Sequence, residues 1–138
     1  MTDKPKPVDY PRRTHDKLRY ADTDRQGHVN NAVFATFFET GRVAFLYDPA
    51  APLHAPDGAF VIARVAIDFA DEIRWPGSVD ICTRVASVGR SSIRLEQALF
   101  QDGRHVASAE SVIVHVDTGD RKSRPLPPAT VAALEACR

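Results

Sequence analysis

No stretch of this chain is apolar for long enough to cross a membrane, and the N-terminus has no signal-like apolar segment. Charge of one sign is also missing. Lys plus Arg and Asp plus Glu number 18 each, so no global field recruits nucleic acid or an anionic lipid surface. Cysteine is scarce: Cys82 and Cys137 have neither CxxC nor metal-ligand spacing, which excludes a disulfide framework and makes a reducing cytoplasm the default. Cys82 falls within a strand pattern and reads as a small core residue. The five histidines, at 15, 28, 54, 105 and 115, are scattered, and neither HExxH nor a glycine-rich phosphate loop occurs. Internal repeats and low-complexity blocks are absent too. What remains is one domain of 138 residues, 43% apolar and 26% charged, large enough for a core and too short for two.

Residues 1–9, broken by Pro5 and Pro7, read as a flexible leader to a single domain over 10–138. Thr14 to Tyr20 has the length of a first strand. From Val33 to Leu46 the large apolar residues recur near i, i+3, i+4 spacing, which predicts a helix over 32–46 that is wrapped on most sides. Glu39 and Arg42, three apart, can pair on one face of it. Asp48-Pro49 ends the helix, and the period then changes to two. Val61 to Phe69, Val79 to Val85, Ile93 to Leu99 and Val106 to Val116 alternate as strands. Pro76-Gly77, Gly89 to Ser92 and Asp102-Gly103 separate them as turns, giving four strands of meander. A short helix over 129–136 closes the chain.

Strands with one buried face need a cover, and only the apolar helix is long enough to supply it. The expected fold is therefore α+β, a five-stranded antiparallel sheet wrapped around one long central helix. One helix covers one face only, and strand edges invite pairing, so self-association is expected.

The densest chemistry lies between Tyr20 and Asn31: Tyr-Ala-Asp-Thr-Asp-Arg-Gln-Gly-His-Val-Asn-Asn. Gly27 permits a sharp turn. Asn30 is a good N-cap. A carboxylate beside a helix N-terminus faces amides able to stabilise a developing oxyanion, an arrangement suited to attack on a carbonyl. The plain alternative is that Asp22 or Asp24 merely bonds the backbone two residues on.

Asp24-x-x-Gly27-His28-Val29-Asn30-Asn31, followed by Phe37-Phe38-Glu39 and Arg42, resembles the hotdog-fold acyl-CoA thioesterases of the 4-hydroxybenzoyl-CoA thioesterase-like family. The resemblance implies a thioesterase that cleaves an acyl- or aroyl-CoA to free acid and CoA. Asp24 is implied as nucleophile or general base, the Asn31 backbone amide as oxyanion donor, and His28 as a polarising or orienting group. Asp22 is expected to brace the loop. The coenzyme is part of the substrate, and no other cofactor and no metal is expected. Arg90, Ser91 and Ser92 are expected coenzyme contacts, with Arg64 and Arg104 weaker ones and Glu39 a secondary catalytic candidate. The family's habit implies a homodimer or homotetramer, with no nucleic acid or membrane partner. Departures from the family pattern are Phe34 and Phe37, where tyrosine is frequent, and Gly41, where alanine is usual. A dehydratase or hydratase acting on acyl thioesters is an alternative, though the helix lacks a histidine. A non-catalytic acyl-thioester binding protein is another.

Overall fold

The computed structural model describes residues 4–138. Its strands are β1 (Arg12–Lys17), β2 (Gly58–Phe69), β3 (Ser78–Val88), β4 (Ser92–Gln101) and β5 (Arg104–Asp117), and its helices are α1 (Asn31–Leu46) and α2 (Pro128–Glu135). All five strands join one antiparallel sheet in the order β1-β3-β4-β5-β2. The concave face is filled by α1. Phe34, Phe37 and Phe38 pack on Leu18, Ile81, Leu99 and Val106, while Phe45 and Leu46 meet Leu95, Ile113 and Leu134 of α2. This is the hotdog arrangement expected from the periodicities.

The helix is seated unusually close to the sheet at Gly41. A Cβ there would stand 2.5 Å from Ile81 Cγ2 and 2.8 Å from Gln97 Nε2. Gln97 uses that amide to donate to the Phe38 carbonyl (3.1 Å) and to Thr83 Oγ1 (3.0 Å), so a buried polar clamp holds α1 down. The expected Glu39–Arg42 pair does not form. The Arg42 guanidinium lies 3.5 Å from Gln97 Oε1 instead, and burial lowers its pKa from the ordinary arginine value.

Two further expectations are corrected. The first strand ends at Lys17, because Asp22 accepts from the Arg19 amide (2.9 Å) and draws Tyr20–Asp22 into a 3-10 turn. Only β3, β4 and β5 form a meander. Tight turns join those three, whereas β2 lies at the far edge beside β5, and residues 70–77 cross the end of the sheet to reach β3. Such a connection is too long for a hairpin. Within the leader, Pro7–Asp9 forms a 3-10 turn that buries none of its residues, and Tyr10, the first residue of the domain, packs with Cys82, Ala98 and Phe100 on the outer face. Burial pushes the Cys82 thiol up to about 11, as suits a small core residue. Residues 1–3 of the leader lie outside the described residues.

Candidate active site at the start of the central helix

The loop from Tyr20 to Asn30 is built from the backbone outward. The Asp24 amide donates to the His28 carbonyl (2.8 Å) and the Gly27 amide to the Asp24 carbonyl (3.0 Å), closing a turn that puts Gly27 at φ +81°. That left-handed conformation favours glycine. One Asp24 carboxylate oxygen accepts from the Gln26 amide at 2.8 Å, the local bond that turn-forming aspartates make. Asp22 has a different place. It is 3% exposed, accepts from the Arg19 amide and guanidinium, and gives its carbonyl to the Asn30 amide (2.8 Å). Burial alone would raise its pKa, but the hydrogen bonds and charge of Arg19 win and hold it below the usual carboxylate range. Asp22 therefore braces the loop, as expected.

Asn30 caps α1 through a side-chain oxygen that accepts from the Ala32 amide at 2.9 Å, and its carbonyl accepts from Val33 (2.9 Å). The Asn31 amide finds no acceptor among the described residues. It stands at the positive end of a 16-residue helix, where an unpaired N–H is an anion donor.

Asp24, His28 and Asn31 line one cavity of about 340 Å³. Phe34 and Phe69 form its apolar wall, edge to face with centroids 5.1 Å apart. The structure thus gathers the three expected catalytic residues. The His28 ring, however, turns to Glu72, with Nε2 3.2 Å from Oε2, and His28 positions Asp24 through its backbone carbonyl.

Phe69, Asp71 and Glu72 also line the cavity, and sequence reasoning missed them. They enter because residue 73 pairs with the loop: the Val29 amide donates to the Ile73 carbonyl (2.9 Å), and His28 bridges Arg74. The acidic pair directly after the β2 run was the available signal. Asp71 is held below its ordinary pKa, first by the Glu72 amide and then by Arg104.

The expected coenzyme contacts are not brought to this cavity within one chain. Ser92 is level with Val114 and Val61, while the cavity opens at Phe69, so the Arg90–Ser92 turn lies roughly 25 Å away along the strand direction. Arg64 sits exposed on β2 with its guanidinium 4.0 Å from Glu110. Glu39 is eight residues along α1 from Asn31, about 12 Å, and lines a separate groove with Arg42, Tyr47 and Phe60. Arg104 is engaged by Asp71 (2.8 Å) and the Glu72 carbonyl (2.9 Å). Among the described residues no group of three or more His, Cys, Asp or Glu is placed to hold a metal, and no helix is long and apolar enough to cross a membrane.

A five-stranded antiparallel sheet wrapped on one central helix defines the hotdog fold. The chain belongs to the thioesterase-like superfamily, whose family model matches residues 18–134. It is 28% identical over 122 residues to the acyl-CoA thioesterase YbgC of Haemophilus influenzae, covering 86% of this chain and 90% of that protein. The same identity holds over 123 residues with the acyl-CoA thioester hydrolase YbgC of Escherichia coli O6:H1, covering 86% and 92%. Among solved structures, the PA5185 protein of Pseudomonas aeruginosa superposes with TM-score 0.86 at 26% identity, covering 97% of this chain and 96% of that one. A thioesterase of Thermus thermophilus, complexed with coenzyme A and Zn, gives TM-score 0.78 at 31% identity, covering 91% and 98%.

Proposed function

We propose that this protein hydrolyses an acyl- or aroyl-CoA to the free acid and CoA, using Asp24 and the Asn31 amide. The observation that carries this is that Asp24 and Asn31 line one cavity together with the aromatic pair Phe34 and Phe69. With the thioester carbonyl oxygen on the Asn31 N–H, negative charge developing in the transition state meets a donor fixed beforehand by the Asn30 cap. Asp24 then acts in one of two ways. As nucleophile, its carboxylate adds to the carbonyl carbon, the C–S bond breaks, CoA leaves as thiolate, and water hydrolyses the mixed anhydride. As general base, it takes a proton from water, whose oxygen adds to the same carbon before the thiolate leaves. Phe34 and Phe69 supply the apolar contact for the acyl group. A dehydratase would need a base aimed at an acyl α-carbon, and the His28 ring is engaged by Glu72.

The proposal includes a homodimer. The β2 edge exposes Ile62, Val65 and Phe69, each close to half accessible, over a strand of 12 residues. An uncovered apolar edge of that length is a pairing surface. Antiparallel pairing of two β2 edges centred near Val65 would set the Phe69 end of one copy beside the Val61 end of the other. The Arg90–Ser92 turn of the second copy would then lie three strand spacings away, about 14 Å. Arg90, Ser91 and Ser92 become coenzyme contacts only across such a pair. Thiol release from a panel of acyl-CoAs tests the activity. Turnover should persist after dialysis against a chelator, and absence of thiol release from every member would refute the proposal.

A further inference from the structure

Outside the cavity, the most exposed aromatic surface is Tyr20 with Trp75. Tyr20 is 74% exposed and Trp75 44%, and their rings meet edge to face with centroids 5.3 Å apart. Exposed aromatic rings of this size are costly to leave in water. Both belong to the segments that build the cavity. Tyr20 opens the turn leading to Asp22 and Asp24, and Trp75 follows Arg74, whose backbone bridges His28. Neither ring rides on a loose loop. Gln101 clamps Arg74 from both sides, accepting from its amide (3.0 Å) and donating to its carbonyl (2.6 Å), while the Leu18 amide donates to the Gly77 carbonyl (2.9 Å). On the other side, Thr23 bonds the Tyr20 carbonyl through both its amide (3.1 Å) and its hydroxyl (2.7 Å).

Each ring is also preceded by an arginine. The Arg19 and Arg74 side chains are 74% and 72% exposed although each has a carboxylate neighbour, Asp22 at 2.8 Å and Glu72 at 3.7 Å. Two aromatic rings held edge to face, each next in sequence to an arginine whose side chain stays mostly exposed, suit a ligand with a planar base and phosphates. An acyl-CoA carries both.

We infer that Tyr20 and Trp75 form the stacking platform for the adenine of the coenzyme, with Arg19 and Arg74 facing its phosphates. This rests on the acyl-CoA reading above and adds where the nucleotide lies, on the same chain and at the same end of the sheet as Asp24. The carrier of the acyl group is then recognised by its nucleotide, and pantetheine alone lacks the anchor.

Trp75 is the only tryptophan in the chain, so its emission reports the platform directly. Adenosine 3′,5′-bisphosphate, which has no thioester, should quench it saturably. Tyr20→Ala should weaken that binding about tenfold, equivalent to about 1.4 kcal/mol and within the usual range for base–aromatic stacking. Arg74→Gln should weaken it at low salt and flatten its dependence on salt. In the thiol-release assay Tyr20→Ala should raise KM for acyl-CoA by a similar factor with kcat unchanged, and leave KM for the matching acyl-pantetheine where it was. Tyr20 is so exposed that folding is not at issue, and a thermal melt checks this. Acyl-CoA turnover with no bisphosphate quenching would overturn the platform and leave the hydrolase standing. So would a KM rise on Arg90→Ala but not on Tyr20→Ala, or emission that responds only to protein concentration, the signature of a second copy. Quenching without any thiol release would overturn the hydrolase and leave the platform.

Discussion

Replacing Gly41 by alanine sets two effects of known size against each other. Alanine in a helix interior is favoured over glycine by about 1 kcal/mol, so propensity alone predicts a gain. The site opposes it. The new methyl would come 2.5 Å from Ile81 Cγ2 and 2.8 Å from Gln97 Nε2, both well inside normal carbon contact. Ile81 is fully buried in the sheet, and Gln97 is held by the Phe38 carbonyl and Thr83. Overpacking costs about 1–3 kcal/mol, and displacing the Gln97 amide from buried partners adds about 1–3 kcal/mol. The net expectation is a loss of roughly 1–5 kcal/mol, a fall in Tm of about 3–20 °C at this chain length. Calorimetry with urea unfolding reads it. An unchanged or higher Tm would show that α1 does not sit on the sheet at this depth.

Two further outcomes follow from the same contacts. Asp22 has a depressed folded-state pKa, so its stabilisation is full above the unfolded carboxylate value near pH ~3.9 and is lost as pH falls through the folded value. The wild type should lose stability below about pH 4, and Asp22→Asn should show a flatter acid profile from a lower starting stability; identical profiles would remove Asp22 as the brace. Wild-type protein should scatter light as a multiple of 15.2 kDa, and the double change Ile62→Glu with Val65→Glu should shift it toward the monomer; a double variant with wild-type mass would exclude the β2 edge as the contact.

How much of this was legible in the sequence follows the range of the interactions. The helix start was readable because its cause is local: Asn30 needs only the amide two residues on. The β4–β5 hairpin was readable for the same reason, since Asp102 and Gly103 adopt the positive φ that such a pair favours. The edge position of β2 was not, because period two says which face is buried and nothing about which strand lies alongside. Phe69, Asp71 and Glu72 reach the cavity only through pairing of residue 73 with residue 29, a long-range event. Arg90 and Glu39 looked close to the chemistry in a family pattern, yet sheet register and helix rise separate them from Asp24 within one chain. Of the two meanings weighed for Asp24, the turn bond is the one observed, and it leaves the residue at the cavity. One oxygen makes the turn bond to Gln26, and the same residue lines the cavity beside the Asn31 amide.

That placement makes Asp24→Asn the most direct test of the catalytic proposal. The asparagine side chain keeps a carbonyl oxygen for the Gln26 amide, so the turn and the melting temperature should be preserved. It removes the charge needed to attack the thioester or activate water. Measured on the best acyl-CoA of the panel, kcat should fall at least ~10²-fold, the low end for a positioned general base. A folded Asp24→Asn protein that retains kcat within a few-fold of wild type would contradict the assignment of Asp24 as the reacting carboxylate.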